Sequence, residues 1–132
     1  MIVVDTSVWI DHLSTGDPTL KERLELGLVL PHPWVIGELA CGNFANRQTV
    51  LRLRDQLPKC IVANEREVHG FIEAHCLHGK GLGYVDVSLL ASTVLTPDAR
   101  LWTLDRRLRA AAKTMGLMAK IPLRPDASGV HV

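Results

Sequence analysis

Four acidic residues stand at positions in this sequence where metal-dependent chemistry could be carried out. They are Asp5, Glu38, Asp86 and Asp105. A set of carboxylates with no accompanying Cys or His cluster suits Mg²⁺ or Mn²⁺. Two such ions, about 3.5–4 Å apart, can cleave a phosphodiester bond, one activating water and the other stabilising the leaving oxygen. The residue types therefore predict one acidic metal site, although it spans a hundred residues of chain.

The elements that must position these carboxylates follow from an alternation of short apolar runs with helical stretches. Strands are predicted at residues 2–4, 28–30 and 100–104, with two further short strands at 60–62 and 118–121. Helices are predicted at residues 8–13, 20–26, 33–41, 48–57, 65–78, 85–95 and 105–113. This alternation is typical of an α/β domain whose parallel sheet is covered by helices on both faces.

Open α/β sheets bind their ligands at the carboxyl ends of the strands. Asp5 and Asp105 each directly follow a predicted strand. Glu38 lies in the first two turns of the helix after residues 28–30, and Asp86 opens a helix after a glycine-rich loop. Taken singly, the aspartates could be helix N-caps and Glu38 a solvated helix residue. Their coincidence at one predicted edge favours a shared site.

The segments around these four residues resemble the motifs of PIN-domain proteins, in particular the VapC-type toxins of bacterial toxin–antitoxin pairs. The four segments are MIVVDTSVWI at 1–10, IGEL at 36–39, GLGYVDVSLLAS at 81–92 and RLWTLDRRL at 100–108. The resemblance runs from residue 2 to about residue 121. The sequence departs from the family pattern at Val87, where Ala is common, and at Tyr84, where other apolar residues are common.

The resemblance implies a three-layer α/β/α sandwich with a short parallel sheet, and a Mg²⁺-dependent endoribonuclease in which Mn²⁺ could substitute. It also implies an RNA substrate, a homodimer and neutralisation by a cognate VapB-like antitoxin. The catalytic and metal-binding residues would be Asp5, Glu38, Asp86 and Asp105. The length fits a single PIN domain over residues 1–132, with a tail from about residue 122 that has no strong pattern.

The composition fits an ordinary globular domain, with 47% hydrophobic and 22% charged residues. No apolar run approaches the roughly 20 residues of a membrane-spanning helix. Asp5 and Asp11 interrupt the first apolar stretch, which argues against a signal peptide. Three cysteines, an odd number without paired spacing, indicate a reducing compartment. We therefore expect a cytoplasmic protein.

The net charge of +1 conceals an uneven distribution. Residues 1–46 carry six acidic and two basic side chains, whereas residues 100–124 carry seven basic side chains and one acidic one. The basic end could bind an anionic partner such as nucleic acid, or could be an ordinary solvated helix face. Candidates for phosphate contacts are Arg106, Arg107 and Arg109.

Several other constellations compete with the acidic site. His75 and His78 could share a face of the predicted helix 65–78 and bind zinc, although surface histidines are the simpler interpretation. His32 lies near the predicted sheet edge and could support a histidine-based ribonuclease. The tryptophans could stack on bases, but their apolar surroundings favour core packing or a dimer surface; they are Trp9, Trp34 and Trp102.

Two alternatives to a toxin remain open at this point. One is a non-catalytic module whose task is to bind a partner protein. The other is a PIN-like nuclease that acts on DNA or on structured RNA during processing.

Overall fold

The computed structural model describes residues 1–122 as three strands and seven helices. The strands are β1 (Ile2–Val4), β2 (Val29–Leu30) and β3 (Arg100–Trp102). The helices are α1 (Thr6–Thr15), α2 (Pro18–Glu25), α3 (Pro33–Ala40), α4 (Arg47–Gln56), α5 (Glu65–Ala74), α6 (Tyr84–Leu95) and α7 (Arg106–Thr114).

The three strands form one parallel sheet in the order β2-β1-β3. In the central strand, Val3 pairs with Leu30 on one side and with Leu101 on the other. Every strand therefore ends at the same edge, where α1, α3 and α7 follow β1, β2 and β3. The predicted α/β fold with a short parallel sheet is confirmed.

Helix α6 lies deepest in the molecule. Seven consecutive residues, from Val87 to Thr93, are buried, and a helix that is buried on all sides needs apolar or hydrogen-bonded residues all round. Its buried Thr93 meets this need, because the hydroxyl donates to the Leu89 carbonyl oxygen at 2.7 Å. The largest fully buried side chains of the core include Trp9, Leu20, Leu39, Leu89 and Leu101.

Local sequence signals set several helix boundaries. The carboxylate of Asp17 accepts hydrogen bonds from the backbone N–H groups of Thr19 and Leu20, and so caps α2. Asn64 and Glu67 form a reciprocal capping box at the start of α5. Gly16, with φ of 78°, ends α1 in a conformation that glycine adopts without steric cost.

The strand predicted at residues 60–62 is wrong. The backbone N–H of Ile61 donates to the hydroxyl of Thr96, and that of Ala63 donates to the hydroxyl of Ser92. Side chains from α6 and its C-cap therefore replace a neighbouring strand as hydrogen-bond partners. The strand predicted at 118–121 is reduced to one parallel bridge between Leu101 and Met118.

Two predicted elements are shorter in the structure. Helix α5 ends at Ala74 and not at residue 78, because His75 is its C-cap and Cys76 takes a φ of +52°. Strand β3 ends at Trp102 and not at residue 104, since the N–H of Leu104 donates to a side chain, the hydroxyl of Ser7.

Within residues 1–122 there is no helix with the length and hydropathy needed to cross a membrane. The tail predicted to be loose from about residue 122 lies almost wholly outside the described residues. The extent of a single domain to residue 132 stays a prediction.

Candidate active site

Asp5 is placed by the end of the central strand. Its backbone N–H donates to the carbonyl oxygen of Trp102 at 2.9 Å, which continues the β1–β3 pairing by one residue. The residue is 6% exposed and stands at the N-cap position of α1, yet its side chain makes no capping hydrogen bond. This buried carboxylate is therefore not used as a helix cap, which was the simple alternative for it.

Two hydroxyl groups hold the Asp5 carboxylate instead. Ser7 Oγ donates to Asp5 Oδ2 at 2.8 Å, and Thr103 Oγ1 donates to the same oxygen at 2.7 Å. Thr103 also accepts from the backbone N–H of Asp105 at 3.0 Å, while Ser7 accepts from the backbone N–H of Leu104. The end of β1 and the end of β3 are thus connected by a hydrogen-bonded network around one carboxylate oxygen.

Glu38 reaches the same edge from α3. Its carboxylate is exposed, and Oε1 accepts a hydrogen bond of 2.8 Å from Thr6 Oγ1 in the first turn of α1. Thr6 directly follows Asp5 in the chain. The contact therefore brings Glu38 to the helix that begins at Asp5.

Asp105 and Asp86 also engage backbone N–H groups. Asp105 Oδ1 accepts from Leu108 at 2.9 Å and caps α7, while Asp86 Oδ2 accepts from Gly83 at 2.9 Å at the start of α6. These bonds confirm that Asp105 serves as a helix cap. They do not exclude a second role, because a carboxylate has two oxygens with lone pairs to spare.

The negative charges of the other three carboxylates act on Asp86. The pKa of the Asp86 carboxyl is raised, first by burial and further by the negative charges of three neighbours, while the hydrogen bond from Gly83 opposes the rise. Those three neighbours are Asp5, Asp105 and Glu38. Asp86 thus lies near enough to the other three carboxylates for their charges to act on it. That the four residues form one catalytic, metal-binding site stays a prediction.

The donor set suits a hard divalent cation in kind and charge, because it consists of carboxylate oxygens under mutual repulsion. In the described part of the chain, however, no three Asp, Glu, His or Cys side chains lie close enough together to hold an ion among them. Mg²⁺ commonly uses only one or two carboxylates and completes its shell with water and substrate phosphate. The residues fit that open kind of site and do not form a closed cage.

Sequence reasoning missed the hydroxyls and the backbone N–H that orient the carboxylates. These groups belong to Thr6, Ser7, Gly83 and Thr103. The available signal was their spacing, since each lies within three residues of an acidic site residue. Hydroxyls beside a predicted metal ligand are candidates for orienting it.

Two of the basic residues at the start of α7 have different neighbours. Arg107 lies against the loop that precedes α6, where a Cβ added to Gly81 would come within 2.5 Å of Arg107 Nη1. Arg109 instead lines a cavity of about 480 Å³ together with Asp11 and Asp17. Arg106, Arg107 and Arg109 are all exposed.

The structure does not support a histidine-based ribonuclease site at His32 or a zinc site at His75 and His78. His32 is fully buried, and desolvation lowers its pKa from 6.5 to about 4. Its Nδ1 accepts from the backbone N–H of Trp34, so the ring proton is on Nε2, which donates to Ser92 Oγ at 3.0 Å. His75 and His78 do not share a helix face, because α5 ends before both.

The tryptophans divide into two kinds. Trp9 and Trp102 are core residues, 1% and 5% exposed. Trp34 in the first turn of α3 is 48% exposed. Core packing is thus confirmed for two of the three side chains, and Trp34 lies on the surface.

Comparison with known proteins identifies relatives, although no family model matches the chain. Ribonuclease VapC32 of Mycobacterium tuberculosis, from strain CDC 1551 / Oshkosh, is 45% identical over 117 residues. The same figures hold for Ribonuclease VapC32 of strain ATCC 25618 / H37Rv. Each alignment covers 89% of this chain and 94% of the relative. At this identity and coverage, the chain belongs to the VapC-type PIN-domain ribonuclease toxins.

Proposed function

We propose that this protein is a metal-dependent endoribonuclease, the toxin of a toxin–antitoxin pair, which hydrolyses phosphodiester bonds in RNA. Its catalytic and metal-binding residues would be Asp5, Glu38, Asp86 and Asp105. The observation that carries this proposal is the hydrogen-bonded network at the carboxyl ends of β1 and β3, in which Thr103 links Asp5 to the backbone of Asp105 and Thr6 binds Glu38. The 45% identity to proteins named ribonucleases supports the reaction class.

The cofactor we propose is Mg²⁺, with Mn²⁺ as a substitute. Bound at this site, a divalent cation would lower the pKa of water and neutralise charge on the phosphate. Asp5 and Asp86 are the less exposed carboxylates and would hold the ion. Glu38 and Asp105 are exposed, and one of them would act as general base toward the attacking water.

The hydroxyls of Ser7 and Thr103 position the site. Because both donate to Asp5 Oδ2, they fix the orientation of the carboxylate. Asp5 thus needs little reorganisation when it binds a cation.

The partners we propose are an RNA substrate, a VapB-like antitoxin and a second copy of this chain in a homodimer. The family supports the antitoxin, and the basic residues of α7 support contacts with RNA phosphates. The cytoplasmic location stays a prediction.

The decisive experiment is a cleavage assay on total RNA with EDTA, Mg²⁺ or Mn²⁺, run beside a DNA control. We expect cleavage with either ion, none in EDTA, and none from Asp5→Asn. Asp55→Asn is the matched control, because its carboxylate in α4 is 77% exposed and its removal should leave cleavage unchanged. If neither RNA nor DNA is cut while a partner protein is bound, the protein is a binding module instead.

The chemistry of the product ends separates metal-dependent hydrolysis from a histidine mechanism. Attack by water in line yields a 5′-phosphate and a 3′-hydroxyl without using the 2′-hydroxyl. Histidine catalysis would use the 2′-hydroxyl, giving a 2′,3′-cyclic phosphate with no need for divalent ions. Ligation and phosphatase treatment of the products distinguish the two, and cyclic ends formed in EDTA would contradict our proposal.

A further inference from the structure

Two exposed aromatic side chains lie on the helices that carry Glu38 and Asp86. Trp34 is 48% exposed and Tyr84 is 42% exposed, and their ring centroids are 6.4 Å apart with an interplanar angle of 85°. The ring of His69 contacts Tyr84 in a similar edge arrangement, at 6.0 Å and 74°. In an edge-to-face pair one ring offers only its edge to the other, so ring faces remain open to a third planar group.

The aromatic pair and the carboxylates occupy the same two helices. Trp34 and Glu38 are four residues apart in α3 and lie on one face of that helix. Tyr84 and Asp86 both belong to the first turn of α6. Trp34 contacts Tyr84, and the charge of Glu38 acts on Asp86. The aromatic pair therefore joins α3 and α6 at a level one helical turn before Glu38 on α3 and two residues before Asp86 on α6.

A hollow of about 510 Å³ opens beside these rings. Its volume lies in the range of pockets that bind small organic groups. Its lining includes Trp34, Val62, Ala63, Glu65 and Tyr84. Among the described residues that line it there is no Lys or Arg, so the hollow does not suit a phosphate. An uncharged planar ring fits it better.

We propose that Trp34 and Tyr84 form a stacking subsite for an unpaired base of the substrate RNA, next to the phosphate that is cut. This inference depends on the proposed ribonuclease function and adds to it a requirement for single-stranded substrate at this position. Aromatic side chains bind bases by stacking without strong sequence preference, because every base has a π-face. The polar groups of the hollow would then modulate which base is preferred.

A stacking subsite explains why two aromatic side chains are exposed on the helices that carry Glu38 and Asp86. A dimer surface could also expose Trp34. A bound base and a second copy of this chain would have different effects on Trp34, and fluorescence can measure the difference. Since Trp9 and Trp102 are almost fully buried, collisional quenching of tryptophan fluorescence reports mainly on Trp34.

The experiment uses the full chain with Asp5→Asn, so that RNA is bound without being cut. An unpaired oligoribonucleotide is titrated while tryptophan fluorescence and its quenching by acrylamide are recorded. We expect RNA to quench Trp34 and to shield it from acrylamide, and we expect a fully paired duplex to do neither. Trp34→Phe should abolish the signal while leaving RNA affinity nearly intact, because Phe can still stack.

The affinity of variants tests the subsite independently. Tyr84→Ala and Trp34→Ala should each weaken binding of unpaired RNA by about 5- to 100-fold, whereas Tyr84→Phe should bind like the parent. The control is Leu26→Ala, an apolar side chain that is 61% exposed and precedes β2 at the opposite end of the sheet. It should leave the affinity unchanged.

The outcomes separate this inference from the proposed function. Fluorescence polarisation of a labelled oligonucleotide measures total RNA binding. No binding at all would overturn both the ribonuclease function and the stacking subsite. Binding without any change at Trp34, and with full affinity in Tyr84→Ala, would overturn the subsite alone. Sedimentation gives a further check, since conversion of a dimer to a monomer by Trp34→Ala, with RNA affinity preserved, would assign the rings to a dimer interface.

Discussion

Thr103 donates a 2.7 Å hydrogen bond from its hydroxyl to Oδ2 of Asp5, across 98 positions of the chain. The same hydroxyl accepts from the backbone N–H of Asp105. One fully buried side chain therefore connects two of the four acidic residues. Because β1 and β3 are paired only along three residues each, this contact adds a side-chain link exactly where the ladder ends.

Thr103→Val should lower both stability and activity. The substitution keeps the shape but leaves the Asp105 N–H and one Asp5 oxygen short of a partner, which costs about 1–3 kcal/mol. Urea denaturation measures the loss, and the cleavage assay measures the effect on the site. Thr103→Ser is the control, since it keeps the hydroxyl; equal losses in both variants would assign the effect to the methyl group.

Asp86→Asn should reduce cleavage by more than about 100-fold while preserving the fold. The amide oxygen can still accept from the Gly83 N–H, so the start of α6 is retained. Removing one of four mutually repelling charges should leave the melting temperature in EDTA unchanged or raised. A clear fall of that temperature would indicate that the carboxylate serves the fold, contrary to our assignment.

The stability of the protein should depend on pH through His32. Its pKa is about 4 in the folded protein and 6.5 when unperturbed, so the unfolded chain binds the proton more readily. The contribution of His32 to the free energy of unfolding therefore has its full value above pH 6.5. It falls as the pH is lowered toward 4, by about 3 kcal/mol over that interval. Urea titrations at several pH values measure this slope.

His32→Asn is the matched variant for that measurement. Asn can accept from the Trp34 N–H as an N-cap but carries no titrating ring. Its absolute stability should be lower, because the bond to Ser92 is lost. Its dependence on pH between 4 and 6.5 should be flatter than in the parent, and an unchanged slope would show that other groups cause it.

Two glycines should respond to alanine in opposite directions. Gly81 has a φ of +75° and lies against Arg107, so Gly81→Ala should cost about 1–2 kcal/mol and displace that arginine. Gly70 lies inside α5 with no atom within 4 Å of an added Cβ, so Gly70→Ala should stabilise by up to about 1 kcal/mol. Thermal unfolding of both variants tests the pair, and stabilisation by Gly81→Ala would contradict the strained conformation.

The sequence predicted the order of the main elements and the position of Asp5 and Asp105 after strands of the sheet. The spacing and length of an apolar run in the sequence locate a strand such as β1 or a helix such as α6, because these runs are long or strongly apolar. The segment 60–62 was mispredicted, since an apolar run does not reveal whether its backbone bonds to a strand or to side chains. Here the partners are the hydroxyls of Ser92 and Thr96, about thirty residues away.

Side-chain detail at the site was less accessible to prediction. The bond between Thr6 and Glu38 depends on how α1 and α3 pack, and no local pattern encodes it. The exposure of Trp34 was equally hidden, because its neighbours Val35 and Ile36 are buried and make the segment look like core. The position of a residue along a helix determines whether its side chain is buried only once the packing of that helix against the rest of the protein is known.

The parallel order β2-β1-β3 also bears on how the protein is made. Asp5 leaves the ribosome one hundred residues ahead of Asp105, a delay of about 5–20 s at bacterial rates of about 5–20 residues per second. During that interval neither β3 nor Thr103 exists to pair with β1 or to hold its carboxylate. A chain that cuts RNA would thus be harmless to its own template until β3 and Thr103 have been synthesised, and ribosome-bound chains stalled before residue 100 should show no cleavage.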